Sequence, residues 1–196
     1  MKKKFDHIGI DFGSKLAGTT ALAYWGENQV NIIQSEKKKD ADAWLSKEIK
    51  LKNPSLIGID APLSLPGVYR DLAGFDNYFY RQSDRELKAM SPMFLGGLTA
   101  RAMRLRANLS EYHFIEIYPA ILAQRLHLKA LGYKQKLSNL PKVLEELAVH
   151  LPFAFQISDI KSWHAFDALL AYWSVYRFRN QEHDIFGDPD EGQIVV

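Results

Sequence analysis

Two apolar stretches of the chain end in the same three residues, Gly-Ile-Asp. The first closes on Asp11 and the second on Asp60. A carboxylate that follows a buried strand loses hydration, so it needs a hydrogen bond, a counter-charge or a metal ion in compensation. If the two strands are parallel neighbours, both carboxylates emerge at one edge of a sheet, where their like charges repel unless a cation lies between them.

Three more ionisable residues lie in apolar surroundings. Glu116 interrupts the strand-like run 113–119, and the almost wholly apolar segment 163–178 contains His164 and Asp167. The last two are three residues apart and therefore share a helix face. Carboxylates that converge on one sheet edge bind hard cations, and an all-oxygen set favours Mg²⁺ or Mn²⁺ over zinc. We therefore expect these four carboxylates and the histidine to form a candidate divalent-metal site.

Each of these residues also has a structural interpretation. An aspartate at the end of a strand is often a helix N-cap or a turn residue. Glu116 is a candidate ion-pair partner of Arg101 or Arg104, and His164 a candidate hydrogen-bonded core residue. Convergence of several of them on one edge, which depends on the strand order, distinguishes a site from separate structural roles.

The elements that would position these residues follow from the apolar periodicity. Three β-branched or aromatic runs at the start predict an antiparallel meander, and a helix after Asp40 leads to a strand that ends at Asp60. Because a helix connects them, this fourth strand is expected to be parallel to an earlier one. The predicted strands are 5–10, 19–25, 29–34, 55–60 and 113–119, and the later helices are centred on 98–109, 120–128, 141–150 and 163–178. Residues 179–192 are expected to be a polar tail, followed by a short edge strand in "QIVV".

Basic and aromatic residues are concentrated in two places. The connection 61–95 is longer than a minimal fold needs, is rich in Tyr and Phe, and carries Arg81 and Arg85. The helix at 98–109 carries Arg101 and Arg104. Arginine binds phosphate through charge-assisted hydrogen bonds, and aromatic rings stack on unpaired bases. These four arginines are the candidate substrate-binding residues, although a solvated helix face and a lid with its own small core remain the alternatives.

Composition limits the class of protein. The 196 residues are 47% hydrophobic and 24% charged, with a net charge of +2 and no cysteine, which is ordinary globular usage and excludes disulfides and thiolate chemistry. Lys2–Lys4 are not followed by the apolar core of a signal peptide, and no run is long enough to cross a membrane. We expect one cytoplasmic domain over 1–196 with a lid or insertion at 61–95, and no membrane partner.

The motif order resembles that of a known family. The order of elements is similar to the RNase H fold, and seven motifs resemble a bacterial and archaeal family of RNase H-like nucleases, domain-of-unknown-function family four-two-nine: "IGIDFGSK", "IGIDAPLSLP", "SDRELKA", "LTARAMRLR", "IEIYPA", "FDALLAYW" and "DEGQIVV". The resemblance implies an α/β fold with a mixed five-stranded sheet flanked by helices. It also implies an acidic set of Asp11, Asp60, Glu116 and Asp167. Ser83 and Ala102 stand where the family often has Cys and Gly, so neither position is expected to be essential to chemistry.

The implied activity is hydrolysis of nucleic-acid phosphodiesters by two Mg²⁺ or Mn²⁺ ions, with Asp11, Asp60 and Asp167 as the metal ligands and His164 as a water-positioning or general-base group. Two alternatives stay open at this point. "GIDFGS" is also similar to the phosphate-binding turn of actin-like and sugar-kinase phosphotransferases, which would need a second lobe, and a homodimer is one way to supply it. A catalytically silent nucleic-acid-binding module would keep the same acids for structure.

Overall fold

The computed structural model describes residues 5–196. Its strands are β1 (His7–Asp11), β2 (Ala21–Gly26), β3 (Gln29–Gln34), β4 (Leu56–Asp60), β5 (Phe114–Ile117), β6 (Ile185–Phe186) and β7 (Ile194–Val195). Its helices are α1 (Ala41–Lys52), α2 (Gln82–Leu87), α3 (Pro92–Leu95), α4 (Gly97–Asn108), α5 (Pro119–Arg125), α6 (Leu140–His150) and α7 (Trp163–Arg179). The strands form one mixed sheet in the order β3-β2-β1-β4-β5-β7-β6, flanked by helices.

The first five strands follow the predicted pattern. β1, β2 and β3 form an antiparallel meander, and β4 and β5 are parallel to β1. The turn between β2 and β3 places Glu27 and Asn28 at positive φ, which matches the right-handed twist of a tight hairpin. The side chain of Asp40 accepts hydrogen bonds from the amides of Asp42 and Ala43, so the predicted N-cap of α1 is confirmed.

The predicted sheet of five strands was too small. "QIVV" contains β7, which lies between β5 and β6 and is not an edge strand, and the edge is β6, inside the predicted polar tail. Strands of two residues are too short to show an alternating pattern, so their pairing depends on contacts that the local sequence does not reveal. Lys2–Lys4 lie outside the described residues.

The two faces of the sheet pack against different helices. On one face α7 lies directly on β1 and β4, because a Cβ added at Gly9 would come within 2.0 Å of the Tyr172 backbone nitrogen, and one at Gly58 within 2.2 Å of Val175. On the other face the isoleucines of β1 and β4 form a core with residues of α1 and α4. Since side chains alternate along a strand, Asp11 and Asp60 lie on the same face as Gly9 and Gly58, which is the α7 face.

Two long connections complete the structure. Residues 61–95 contain α2, α3 and a short 3-10 helix at Gly67–Arg70. Residues 154–156 run beside β3, where Val30 donates to the carbonyl of Ala154 at 2.8 Å and accepts from Gln156 at 2.9 Å. Asp159 accepts the amide of Ile32 on the same strand at 3.1 Å. Within residues 5–196, none of the helices has the length and apolar character needed to cross a bilayer.

Candidate functional site

Asp11 and Asp60 are direct register partners at the carboxyl ends of β1 and β4, as the repeated Gly-Ile-Asp motif predicts. Both carboxylates line a cleft of about 250 Å³. The cleft is closed by the end of β5 and by the connection 61–95, which contributes Ala61, Pro62, Ala89, Met90 and Leu95. The site therefore lies at the sheet edge where open α/β sheets bind their ligands.

Asp60 is the member of the site whose charge is least compensated. Within residues 5–196 its carboxylate forms no hydrogen bond and no ion pair. Burial raises the pKa of Asp60 well above its usual value, and the negative charges of Asp11 and Asp167 raise it further. A partly exposed carboxylate in this position is free to accept a ligand from the cleft.

Asp11 is paired with the imidazole predicted to lie beside it. The Nδ1 atom of His164 is 2.8 Å from Oδ2 of Asp11, and this hydrogen bond is the main reason that the pKa of His164 is raised. His164 lies in the first turn of α7, where the Ser162 hydroxyl accepts the amide of Ala165 as an N-cap. The imidazole is 43% exposed, so its other nitrogen can exchange protons with solvent or substrate.

Asp167 follows one helical turn later and is 1% exposed. Its Oδ1 accepts a hydrogen bond of 2.5 Å from the Tyr133 hydroxyl, and its Oδ2 lies 2.5 Å from Nζ of Lys134. Burial raises the pKa of Asp167 despite the opposing charge of Lys134, and the charge of Asp11 raises it too. The same negative charges raise the pKa of Lys134 in spite of its partial burial.

Tyr133 and Lys134 are functional candidates that the sequence did not indicate. They lie in the turn that follows a short 3-10 helix at Leu128–Leu131, more than thirty positions from Asp167. Gly132 and Lys134 both adopt positive φ, and this turn directs the side chains of Tyr133 and Lys134 toward Asp167. A glycine followed by Tyr and Lys in a loop is common, so only the strong burial of Asp167 could have suggested that partners were required.

Glu116 lies on the opposite face of the sheet from these three aspartates. It pairs in register with Ile59, which belongs to the core on the α1 and α4 side. Its carboxylate accepts the amide of Leu63 at 2.9 Å and two hydrogen bonds from Arg81, at 2.6 and 2.7 Å. Glu116 still borders the cleft, but its oxygens are engaged by Arg81 and Leu63. The ion-pair interpretation of Glu116 thus holds with Arg81 in the place of Arg101 or Arg104.

Arg81 has no free donor for a substrate. Its side chain is 0% exposed, and it donates to both Asp84 oxygens, to both Glu116 oxygens and to the Ser64 hydroxyl. These contacts use all five N–H groups of the guanidinium. Arg81 therefore links α2 to β5 through its ion pairs with Asp84 and Glu116, and its guanidinium is not available to bind a ligand.

The other three predicted arginines differ in their availability. Arg101 makes a two-point ion pair with Asp42, at 2.6 and 3.0 Å, and also donates to the Gly13 carbonyl, so it ties α4 to α1 and to the end of β1. Arg104 is 60% exposed and contacts Asp42 only at 3.3 Å. Arg85 is exposed on α2. Arg85 and Arg104 are thus the two of the four that are exposed to solvent.

The chemistry of the donor set fits a hard divalent cation, although the side chains are not arranged as a complete coordination shell. Within residues 5–196, no three His, Asp or Glu side chains are grouped closely enough to hold one ion as they stand. Asp60, however, is uncompensated, Asp11 lies beside it, and the positive charge next to Asp167 comes from a half-exposed lysine. Movement of that lysine would leave the Asp167 carboxylate without its cationic partner.

Two backbone amides of the turn after β1 are already bonded to side chains of the protein. The amide of Gly13 donates to the Thr20 hydroxyl at 3.1 Å, and that of Ser14 donates to the Thr19 hydroxyl at 2.9 Å. Backbone N–H groups that cradle a phosphate must point at the ligand. The geometry of this turn therefore does not favour the nucleotide-binding alternative.

Comparisons of the chain with protein-family models, with curated proteins and with solved structures gave no match in any of the three.

Proposed function

We propose that the protein is an RNase H-like nuclease that hydrolyses nucleic-acid phosphodiester bonds with the help of divalent cations. The observation that carries the proposal is the register pairing of Asp11 and Asp60 at the carboxyl ends of adjacent parallel strands, on the face covered by the helix that bears Asp167. The antiparallel meander followed by two parallel strands supports the RNase H-like topology. Two adjacent carboxylates repel each other and destabilise the fold. Their presence side by side is therefore better explained by the binding of a cation than by a structural role.

Asp11, Asp60 and Asp167 would hold the metal. When bound, Mg²⁺ or Mn²⁺ would activate a water molecule and neutralise the charge that develops on the leaving oxygen. Residues that are hydrogen-bonded to the proposed ligands would orient them. His164 holds one oxygen of Asp11, and Tyr133 holds one oxygen of Asp167. His164 is also placed to accept or donate a proton at its exposed nitrogen, which is the role of a general base or acid.

The rim of the cleft supports nucleic acid as the substrate. Phe79 and Phe94 lie 5.9 Å apart by ring centroids and are both exposed, Phe94 by 64%. They are adjacent to the cleft because Met90 and Leu95 line it and the Ser91 hydroxyl donates to the Phe79 carbonyl. Solvent-exposed aromatic rings beside an acidic cleft suit stacking on unpaired bases, and Arg85 and Arg104 are available for the phosphates.

A panel of end-labelled substrates tests the proposal. Single-stranded and duplex DNA, RNA, a DNA–RNA hybrid and a branched junction are incubated with the protein in Mg²⁺, in Mn²⁺ and in EDTA. We expect metal-dependent cleavage of at least one substrate, and a loss of about 100-fold or more in Asp60→Asn. Asp76→Asn, which changes an exposed aspartate of the 61–95 connection, is the matched control and should cleave like wild type. Binding without cleavage in every metal would support the silent binding module.

A further inference from the structure

Lys134 supplies the positive charge of the acidic cluster. Its Nζ atom is 2.5 Å from Asp167, and the charges of Asp60 and Asp11 act on it as well. Within residues 5–196, no other lysine or arginine forms an ion pair with any of the three aspartates. The ammonium thus interacts electrostatically with all three carboxylates.

The backbone that presents Lys134 is specialised. Lys134 has a φ of 58°, a left-handed conformation that residues other than glycine adopt rarely. Gly132, two residues earlier, has a φ of 94°, and a Cβ there would meet the Asn139 amide at 2.1 Å. The Tyr133 side chain between them is buried and bonded to Asp167. This turn therefore directs two consecutive side chains onto the two oxygens of one carboxylate.

The side chain of Lys134 is held only at its tip. It is 48% exposed, and the pair with Asp167 is its one ion pair in the described part of the chain. A lysine has a flexible four-carbon stem and a strongly hydrated ammonium, so moving Nζ into water requires no rearrangement of the backbone. Tyr133, in contrast, is buried and cannot leave without opening the turn.

We propose that Lys134 is the resident counter-ion of the acidic cluster and competes with the divalent cation for Asp167. This inference rests on the proposed metal-dependent function. In the absence of metal, the ammonium offsets the repulsion among the three carboxylates and keeps α7 against the sheet edge. When a divalent ion binds, Nζ is displaced into solvent, so Lys134 sets the metal concentration at which the site fills.

Lys134→Met tests both parts, with Lys136→Met as the matched control. Lys136 lies in the same segment, is exposed and forms no ion pair within residues 5–196. Without metal, the melting temperature of Lys134→Met should fall below that of wild type, while Lys136→Met should melt like wild type. In calorimetric titration, the Mn²⁺ dissociation constant of Lys134→Met should be about tenfold lower than that of wild type.

A second measurement uses the unmodified protein, in case Lys134→Met does not fold. The rate of reductive methylation of each lysine is followed by mass spectrometry with and without Mn²⁺. We expect Mn²⁺ to accelerate methylation of Lys134 and to leave the rate at Lys136 unchanged, because only the first ammonium is released from a carboxylate.

The outcomes separate this inference from the function on which it rests. If wild type binds Mn²⁺ but neither the affinity of Lys134→Met nor the methylation of Lys134 changes, competition is refuted and the nuclease proposal stands. If Mn²⁺ binds neither to wild type nor to Lys134→Met, both the competition by Lys134 and the metal-dependent nuclease function are refuted. A metal-free Lys134→Met that melts like wild type overturns the counter-ion role.

Discussion

The three carboxylates of the site repel one another, but different groups offset the charge of each one. They belong to Asp11, Asp60 and Asp167. An imidazole is bonded to Asp11, an ammonium and a phenol to Asp167, and Asp60 has no partner within residues 5–196. Burial, and after it the negative charges of Asp11 and Asp167, raises the pKa of Asp60 well above its usual value. At this position a negative charge costs stability in the absence of a cation.

Asp60→Asn is accordingly expected to stabilise the metal-free protein, by on the order of 1 kcal/mol in free energy of unfolding. The change keeps the size of the side chain and removes one of the mutually repelling charges. Urea unfolding in EDTA and in Mn²⁺ measures it: wild type should gain stability from Mn²⁺ and the variant should not. A variant that is less stable than wild type in EDTA would show that Asp60 has a structural role in place of a ligand role.

His7 gives the stability of the protein a pH dependence. It is buried in β1, and its ring stacks on Tyr172 with centroids 4.1 Å apart. Burial lowers the pKa of His7 to about 3, and the charge of Arg179 acts in the same direction. The folded protein therefore holds the neutral imidazole, while the unfolded chain binds a proton below a pH of about 6.5.

The contribution of His7 to stability is complete above pH 6.5 and is lost as the pH falls from there toward 3, by up to about 1.4 kcal/mol per pH unit. His7→Phe keeps a planar ring and removes the proton site. We expect the difference in unfolding free energy between wild type and His7→Phe to be constant from pH 7 to 8 and to shift in favour of the variant at pH 5. Parallel curves over the whole range would mean that His7 binds a proton as readily in the folded protein as in the unfolded chain.

At the scale of elements, successive side chains of a strand point to opposite faces of the sheet. This alternation decides which of the predicted site residues lie together. The two Gly-Ile-Asp strands are aligned without offset, so their aspartates were correctly predicted as neighbours. The position of Glu116 was harder to predict. The face of the sheet on which a β5 residue lies depends on the register between β4 and β5, and the sequence does not give that register. It pairs with Ile59 and not with Asp60, and this difference of one position places it on the other face.

The contact between α7 and β1 is close enough to exclude any side chain at Gly9. A Cβ there would overlap backbone atoms of Ala171 and Tyr172, which cannot move as the tip of a side chain can. Gly9→Ala should therefore lower the free energy of unfolding by about 3 kcal/mol. Gly97→Ala is the control, since a Cβ at the start of α4 meets no atom within 4 Å. Equal stabilities of the two variants in urea would contradict the helix position.

At the scale of the whole molecule, the carboxyl-terminal segment fastens the connection 61–95 to the sheet. Glu191 is 2% exposed and accepts the amide of Gly67 at 2.8 Å and that of Gln82 at 2.6 Å. Ser83 donates to the Gly192 carbonyl nearby. These partners are more than one hundred residues apart in sequence. No local pattern identifies such pairs, which is why this segment was expected to be a free tail.

Glu191→Ala should release the connection before it unfolds the sheet. Two buried amides would lose their acceptor, at a cost of about 1 to 3 kcal/mol each. We expect limited proteolysis to cut within 61–95 faster in Glu191→Ala than in wild type. Glu145→Ala, at an exposed position of α6, is the control and should be cut at the wild-type rate. Cleavage that begins elsewhere in Glu191→Ala would show that the connection is held by other contacts.

The segment beside β3 has a consequence for the behaviour of the protein at high concentration. β3 is an edge strand, and an uncovered edge offers free N–H and C=O groups to the strands of other molecules. Here both the N–H and the C=O of Val30 are bonded to residues 154–156, and the Ile32 amide donates to Asp159. Three backbone groups that would otherwise seed intermolecular β-pairing are thus satisfied within the molecule. Substitutions that loosen this segment should promote aggregation even where the cleft that contains Asp11 and Asp60 is untouched.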